Sequence, residues 1–221
     1  MHKLLKEVVK VYTQFQKLGP SYLDIFDNRA ITEATFEAVK TKQLQEYIKK
    51  EFKPIGDISM LPIHLEPEHR FTIAMFALKP GVRMPLHDHP NMFVLSHVMN
   101  GIGERESWDI DPCDIHQQIE FRKNKGDSRI LKAIQQPKLQ LKEGDNCYTT
   151  PNKCNLHKFS NSHDQELFIF LDVILPHYNG VDRVIKFYQP ISENQLELMG
   201  NPKTYQRHPI NVDDIREFIV Q

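Results

Sequence analysis

Hydrophobic residues follow a helical period in the N-terminal part of the chain. Over 3–17 the apolar positions recur every three or four residues, which predicts an amphipathic helix, and a following Gly-Pro pair ends it. A second helix is predicted from Thr32, which would be its N-cap, and a third over 41–52, ended by Pro54. The pattern therefore predicts a helical segment over 1–54.

The period changes to that of strands from about Ile63 onward. The clearest runs are FTIAMFAL, MFVLSHVM, LQLKEGDNCYTT and LFIFLDVIL, and glycine, proline and asparagine separate them. Short apolar or alternating runs between turn residues are typical of β-strands. A series of such runs predicts an all-β core, built as a sandwich or a barrel. The fold class that we expect is mainly β with a helical segment in front.

The chain is accordingly divided into a helical segment that packs on the barrel, a β core and a tail, with bounds at 1–54, 55–190 and 191–221. Within the core the stretch 111–136 is polar and irregular, and we interpret it as a long inserted loop or an extended hairpin. The tail is polar at first and then contains NVDDIREFIV, which is a candidate for a short helix capped by Asn211.

Composition and charge exclude several classes of function. The chain has 221 residues, enough for one domain with its own core. A formal net charge of −1 gives no basic field for nucleic acid, and no apolar run approaches the length of a membrane span. The cysteines are odd in number and have no CxxC spacing, which favours a reducing compartment. We therefore expect a cytosolic monomer, small enough to enter the nucleus, without nucleic-acid or membrane partners.

The stretch GVRMPLHDHP carries the first candidate chemistry. A strand alternates its side chains between two faces, so His87 and His89 would direct both imidazoles to the same face. Two neutral imidazoles that converge on one point begin a metal site. Taken alone, the pair is equally well interpreted as two polar residues at a surface turn. A metal site needs a third ligand, and His157 in the segment NLHKF is the candidate.

The spacing around these histidines resembles the two-part motif of the cupin superfamily. The motif residues in this sequence are Gly81, His87, His89, Gly101, Gly144, Pro151, His157 and Asn161. The five-residue gap before the HxH pair and the three-residue gap after the third histidine both fit the motif. Phe93 and Val94 stand where the motif has a glutamate ligand. The resemblance therefore implies a three-histidine site with open coordination positions.

Longer segments resemble the thiol dioxygenases related to cysteamine (2-aminoethanethiol) dioxygenase and the plant cysteine oxidases. PLHDHPNM, NLHKF and LDVILPHY correspond to segments of that family, and the likeness covers about residues 55–190. It implies a cupin double-stranded β-helix, which is a jelly-roll barrel with the metal inside one mouth. In that family His87, His89 and His157 match the iron ligands, Asp172 an acidic residue near the substrate site, and Tyr178 a tyrosine of the same region.

The resemblance also implies an activity. The cofactor would be Fe(2+), and the reaction would add both atoms of O2 to a thiol to give a sulfinic acid. The substrate would be the N-terminal cysteine of a protein or peptide, which we favour, or the small aminothiol cysteamine. Because O2 is a substrate, the enzyme would have an oxygen-sensing role that feeds N-degron degradation if its affinity for O2 is low.

Other interpretations of these residues stay open. Asp172 would hydrogen-bond the substrate amine or a water near the metal, or it is an ordinary aspartate at a strand end. Tyr178 is a site residue or only covers the edge of the core. The rival functions are a cupin enzyme that uses another metal and a non-thiol substrate, and a ligand-binding cupin without turnover.

The sequence departs from the family pattern at two places. Asn91 stands where the family has a glycine, a mild change because asparagine tolerates a positive φ. Ile185 and Phe187 stand where some members have a cysteine and a tyrosine that form a covalent crosslink. We therefore predict no crosslink here.

Overall fold

The structure, a computed structural model, describes residues 1–221 with the exception of 41–43, 47, 49–51, 55, 66–69, 112–129, 164, 200–205 and 208–221. Helices come first along the described chain and strands follow, as the hydrophobic pattern predicts. The fold class is mainly β with an N-terminal helical segment.

The helices before the first strand are α1 (His2–Leu18), α2 (Tyr22–Ile25) and α3 (Arg29–Val39). The first of them confirms the helix predicted near the start of the chain. Of the third predicted helix, residues 44–46 and 48 are described and helical, and most of its other positions lie outside the described residues.

The second predicted helix begins earlier than expected, because its cap is Asn28 and not Thr32. The Asp27 carboxylate accepts the backbone N–H of Arg29 at 3.1 Å, which satisfies one of the free donors at this helix start. Thr32 lies inside the helix, where its hydroxyl donates to the Asn28 carbonyl oxygen at 2.9 Å. The prediction of Thr32 as the cap was therefore wrong.

The strands form two antiparallel-dominated sheets. Sheet one has the order β13-β1-β2-β10-β4-β8, and sheet two has the order β6-β12-β11-β3-β9-β5-β7. Their bounds are β1 (Ile58–Leu65), β2 (Thr72–Leu78), β3 (Leu86–Asp88), β4 (Phe93–Asn100), β5 (Ile102–Ile110), β6 (Ile130–Gln135), β7 (Leu139–Lys142), β8 (Asn146–Thr149), β9 (Leu156–Asn161), β10 (Phe168–Leu175), β11 (Phe187–Ser192), β12 (Gln195–Met199) and β13 (Gln206–Arg207). From β2 to β5 and again from β7 to β11, consecutive strands alternate between the two sheets, as in a jelly roll.

The central strands β2 and β10 of sheet one are buried on both faces. The outer face of this sheet and the N-terminal helices form one hydrophobic cluster, in which Leu4 and Ile31 of the helices share a core with Leu95 and Leu171 of the sheet. Its inner face packs with residues of sheet two, including Phe159, inside the barrel. Because strand residues alternate between faces, the burial of every residue of β2 and β10 follows from this double cover.

The first strand begins before the predicted position. Strand β1 starts at Ile58 and not near Ile63, and it contains a proline that argues against a strand in the sequence. The register between β1 and β2 shifts between Pro62 and His64, so the proline stands at an irregularity where a ladder hydrogen bond is not required.

One predicted run is in fact two strands. LQLKEGDNCYTT contains β7 and β8, which belong to different sheets. Between them Gly144 has φ 91°, a left-handed conformation that favours glycine and lets the chain turn from one sheet to the other.

Of the predicted insertion 111–136, the structure describes only the two ends. Strand β6 pairs antiparallel with β5, with Trp108 opposite Gln135, which favours the extended hairpin over the loop. Residues 112–129 lie outside the described residues.

Strand β11 spans the expected division at 190, and β12 pairs with it, so the sheet continues into the expected tail. The helix candidate from Asn211 lies outside the described residues.

Candidate metal centre

Two neighbouring strands of sheet two, β3 and β9, bring the candidate histidines together. His87 on β3 lies directly opposite His157 on β9, and Ser107 on β5 is the other register neighbour of His157. His89 follows β3 directly, so the HxH alternation turns both of its imidazoles inward as predicted. All three histidine side chains are buried.

The ring nitrogens are spaced as a metal would need them. The Nε2 atom of His89 lies 3.1 Å from that of His87 and 3.3 Å from that of His157. A metal–imidazole bond of about 2.0–2.1 Å places neighbouring ligand nitrogens about 3 Å apart. The three residues also form a group whose ligand atoms lie within 4.8 Å of one another. The residues present therefore fit a metal ion.

The opposite ring nitrogens have acceptors of their own. His87 Nδ1 lies 2.9 Å from the carbonyl oxygen of Pro85, which can only accept, so Nδ1 carries the proton. His89 Nδ1 lies 2.7 Å from the Tyr178 hydroxyl, which in turn donates to the carbonyl oxygen of Asp88 at 2.8 Å. With its proton committed there, the hydroxyl accepts from His89. Both histidines therefore direct an Nε2 lone pair at the centre.

The third histidine is fixed by a threonine. His157 Nδ1 lies 2.9 Å from Thr149 Oγ1, which accepts from the Arg105 Nη2 at 2.7 Å and donates to the Cys154 carbonyl oxygen at 3.2 Å. Since the hydroxyl proton and one lone pair are then used, the remaining lone pair accepts from His157 Nδ1–H. All three Nε2 atoms are thus left free for a metal.

Burial keeps these imidazoles neutral. It lowers the pKa of His87 to about 4, and it lowers the pKa of His89 and of His157 well below the ordinary value of 6.5. The neighbouring histidines and the Arg105 guanidinium lower the last two further. A neutral imidazole is the form that binds a metal, so the site has its ligands ready at neutral pH.

The aspartate between the two histidines points away from the centre. Asp88 is buried, and its carboxylate accepts the backbone N–H of Lys186 at 2.8 Å and the Tyr188 hydroxyl at 3.1 Å. These bonds attach strand β11 to β3, and they bring Phe187 opposite His87. Asp88 therefore orients the HxH strand and is not a fourth ligand.

An asparagine joins the two halves of the site. Asn155 is buried, and its Nδ2 donates to the carbonyl oxygens of His89 at 2.7 Å and of Thr150 at 3.1 Å. The backbone N–H of His89 donates to the Asn155 carbonyl oxygen at 3.3 Å. Asn155 thus holds the chain at His89 against the segment that leads to His157.

The predicted acidic residue faces the interior from the opposite sheet. Asp172 on β10 has Ala74 and Ser96 as its register neighbours, and it alternates with the outer-face core residues Leu171 and Val173. Its Oδ1 is buried without a hydrogen-bond partner among the described residues. Burial raises the pKa of Asp172 to about 7, although the Ser96 hydroxyl and the Arg105 guanidinium oppose that shift. A buried carboxyl with a raised pKa is a feature of functional sites.

Sequence reasoning missed Arg105 and Thr149. Arg105 is 2% exposed, which is rare for an arginine without a carboxylate partner. The available signal was the alternation GERES, in which Arg105 shares a face with Gly103 and Ser107 and not with the glutamates. On that face it reaches the interior.

The structure also locates Asn91 and two of the cysteines that the sequence analysis considered. Asn91 has φ 55°, so asparagine adopts the left-handed conformation that the family's glycine position suggests. Cys147 is buried and Cys154 is partly exposed, while Cys113 lies outside the described residues. Among the described helices, none is long and apolar enough to cross a bilayer.

Comparison with known proteins identifies relatives of the chain. The PCO_ADO family model matches residues 17–213. The protein "Probable 2-aminoethanethiol dioxygenase" of Dictyostelium discoideum is 33% identical over 166 residues, which cover 73% of this chain and 71% of the relative. "Plant cysteine oxidase 2" of Arabidopsis thaliana is 32% identical over 96 residues, which cover 42% of this chain and 35% of the relative.

The comparison with solved structures finds proteins whose fold resembles part of this chain. A cupin-like protein of Thermotoga maritima has a TM-score of 0.41 at 15% identity and covers 62% of this chain and 80% of its own. A Klebsiella pneumoniae protein with a double-stranded β-helix domain has a TM-score of 0.37 at 20% identity and covers 62% of this chain and 81% of its own. The family model matches most of this chain, and the Dictyostelium discoideum relative is 33% identical over 73% of it. The chain therefore belongs to the PCO_ADO family.

Proposed function

We propose that the protein is an iron(II)-dependent thiol dioxygenase that oxidises the N-terminal cysteine of a protein or peptide to the sulfinic acid. Cysteamine is the alternative substrate. The observation that carries the proposal is the convergence of three neutral histidines, each with its Nδ1 proton held by a neighbouring acceptor. Membership in a family whose relatives are named dioxygenase and cysteine oxidase supports an oxidoreductase.

The reaction balances without a further reductant. A thiol and O2 combine to a sulfinic acid, so the sulfur loses electrons, O2 accepts them, and both oxygen atoms stay in the product. Iron(II) bound by His87, His89 and His157 supplies the redox chemistry that amino-acid side chains lack.

The remaining side chains bind and orient the substrate. Asp172, ionised, accepts a hydrogen bond from the substrate ammonium, which gives its unpartnered Oδ1 a partner. Tyr178 holds the Nδ1 proton of His89 and so keeps the ring in the orientation that the ligand role requires.

The location and the biological role are further parts of the proposal. The reducing compartment inferred from the cysteines favours a cytosolic protein that enters the nucleus by size. An enzyme with a low affinity for O2 would report oxygen supply by changing the fate of its cysteine substrate, which is the oxygen-sensing role in N-degron degradation.

The test is anaerobic loading with Fe(II), followed by exposure to O2 with cysteamine or with a peptide that begins with cysteine. Mass spectrometry should find two added oxygen atoms on the peptide. His157→Ala should abolish the product, whereas His163→Ala, in the turn after β9, should not. Product on the peptide alone supports a cysteine oxidase. Product on both thiols keeps cysteamine as an alternative substrate. Iron-loaded protein without either product would refute the dioxygenase and favour a cupin with another metal or without turnover.

A further inference from the structure

Arg105 is a buried cation whose neighbours in sequence do not neutralise it. The two flanking glutamates face the other side of strand β5, where Glu104 pairs with Lys138 at 2.6 Å and Glu106 with Lys158 at 3.3 Å. Those ion pairs are partly exposed, while Arg105 is 2% exposed on the inner face. The guanidinium is therefore separated from the nearest acidic residues of its own strand.

The hydrogen bonds of the guanidinium go to neutral acceptors. Its Nη2 donates to Thr149 Oγ1 at 2.7 Å and to the Cys154 carbonyl oxygen at 3.3 Å. The same Nη2 lies 3.5 Å from His157 Nδ1, behind the ring and away from the Nε2 atom. Its Nε has no hydrogen-bond partner within the part of the chain that the structure describes. A buried charge without a counter-charge is costly, so this arrangement calls for an anion.

The electrostatic influence of Arg105 covers the whole centre. It acts on all three histidines, on Asp172 across the barrel and on the Cys147 thiol. The candidate ligands are all neutral and include no carboxylate, so a divalent metal would add two positive charges beside the guanidinium. An ionised Asp172 would offset one of these three charges.

We propose that Arg105 is a positioning residue that makes the three-histidine centre selective for anionic ligands, so that the substrate binds as a thiolate. It does this in two ways. Through Thr149 it holds His157 in the ligand orientation, and its own charge gives the centre a positive excess that an anionic sulfur compensates. The inference rests on the proposed function, because it requires a metal at the three histidines.

The experiment uses the full chain loaded with Co(II), an absorbing probe that needs no turnover. Azide, a small anion, and imidazole, a neutral ligand, are titrated separately at a pH where imidazole is uncharged. The ratio of the two dissociation constants measures the preference for an anion, and a general loss of structure would weaken both ligands. Circular dichroism and the thermal midpoint report whether each variant is folded.

Three substitutions separate the charge from the hydrogen bond. Arg105→Gln removes the charge and keeps an N–H donor for Thr149, Arg105→Lys keeps the charge, and Thr149→Val removes the contact with His157. For Arg105→Gln we expect azide binding to weaken roughly tenfold relative to imidazole, the order expected for unit charges about 10 Å apart at an effective dielectric constant of about 20. Arg105→Lys should keep most of the preference, and Thr149→Val should weaken Co(II) binding itself.

The possible failures are distinguishable. Wild-type protein that binds no Co(II) would refute the proposed metal site and this inference with it. Wild-type protein that binds Co(II), with an unchanged azide-to-imidazole ratio in Arg105→Gln, would overturn the role of Arg105 alone. If Arg105→Gln does not fold, Arg105→Met is the second neutral variant, and the same two results of its titration decide.

Discussion

At the scale of single residues, the burial of Asp172 makes the free energy of unfolding depend on pH. Burial raises its pKa from 3.8 to about 7, so the folded protein binds this proton more tightly than the unfolded chain does. Stability from this group is therefore fully present below about pH 4 and is lost as the pH rises through about 7. In the metal-free protein we expect Asp172→Asn to remove this loss. The free energy of unfolding of the variant relative to wild type should rise by up to about 4 kcal/mol between pH 4 and pH 8.

Urea unfolding across that pH range measures the difference, and the acid-sensitive histidines affect both proteins alike. Asp57→Asn is the matched control, because Asp57 is exposed and its side chain pairs, among the described residues, only with Lys79 at 3.7 Å. The same measurement on this variant shows how large a pH effect follows from removing a surface carboxyl. A flat difference for Asp172→Asn would mean that the carboxyl is compensated in the folded protein.

Tyr178 allows a test of whether the hydrogen bond to His89 Nδ1 strengthens metal binding. Tyr178→Phe leaves the ring and removes the only atom that accepts the His89 Nδ1 proton in the described structure. Loss of such a partner typically costs 10–100-fold in metal affinity, so we expect a decrease of roughly that size. Competition with a metal chelator measures it. Tyr148→Phe is the control, since that hydroxyl contacts Thr32 and faces the helices; equal losses in both variants would refute the role.

The sequence predicts ligands better than their supports. His87 and His89 follow from strand alternation, and His157 from the motif spacing, because each depends on local pattern. The His87 ring is fixed by a carbonyl oxygen only two residues before it, whereas the His89 ring is fixed by Tyr178 beyond β10 and the His157 ring by Thr149 at the end of β8. Of the two side chains, the family resemblance predicts Tyr178 alone. Arg105 was missed because an arginine between two glutamates has the pattern of a solvated strand. Only the pairing of β5 with β9 shows that it faces inward.

At the scale of elements, the short helix α2 reaches the loop before the third histidine. Its Asp24 accepts the Thr150 hydroxyl, the backbone N–H of Asn152 at 3.0 Å and the side-chain amide of Asn152 at 2.7 Å. This loop, 150–155, also contains Asn155, which holds the chain at His89. The helical segment thus helps to fix a loop of the metal centre.

We expect Asp24→Ala to release the loop, because three hydrogen bonds lose their acceptor. The rate of metal release should increase several-fold, at a cost in stability of about 1–3 kcal/mol. Metal transfer to a chelator, followed by stopped flow, measures the rate. Asp27→Ala, three residues further on, is the control, because Asp27 bonds only Arg29 in the described structure. An unchanged rate in Asp24→Ala would show that β8 and β9 fix the loop without α2.

Element boundaries show a similar limit to prediction. The helices α1 and α3 follow from apolar spacing, but the short helix α2 was not predicted, and the cap at Asn28 depends on how the Asp27 carboxylate meets Arg29. The start of β1 was not predicted because proline is unfavourable in a strand interior. Pro62 is tolerated in β1 because the register with β2 shifts beside it. Such details are set by a strand partner or a neighbouring side chain, and the periodicity of one segment does not contain them.

At the scale of the whole molecule, the helices and the barrel share a hydrophobic core, so they should unfold together. Ile31 of α3 is 1% exposed in that core, whereas Ile25 of α2 is 82% exposed. Ile31→Ala should lower the free energy of unfolding by about 2–5 kcal/mol, and Ile25→Ala should change it little. In both variants the helical circular dichroism and the fluorescence of Trp108, buried in sheet two on the far side of the barrel, should give one transition.

Coincident transitions would mean that loss of packing under the helices is felt at the metal centre, because the same sheet carries Asp172 on its inner face. Separate transitions, with the helical signal lost first, would instead make the helical segment an independent cover over a stable barrel. In that case Asp24→Ala should also leave the rate of metal release unchanged, since a cover that detaches alone does not hold the loop. The two measurements therefore have to agree, and their disagreement would refute the shared core as the connection between the helices and the site.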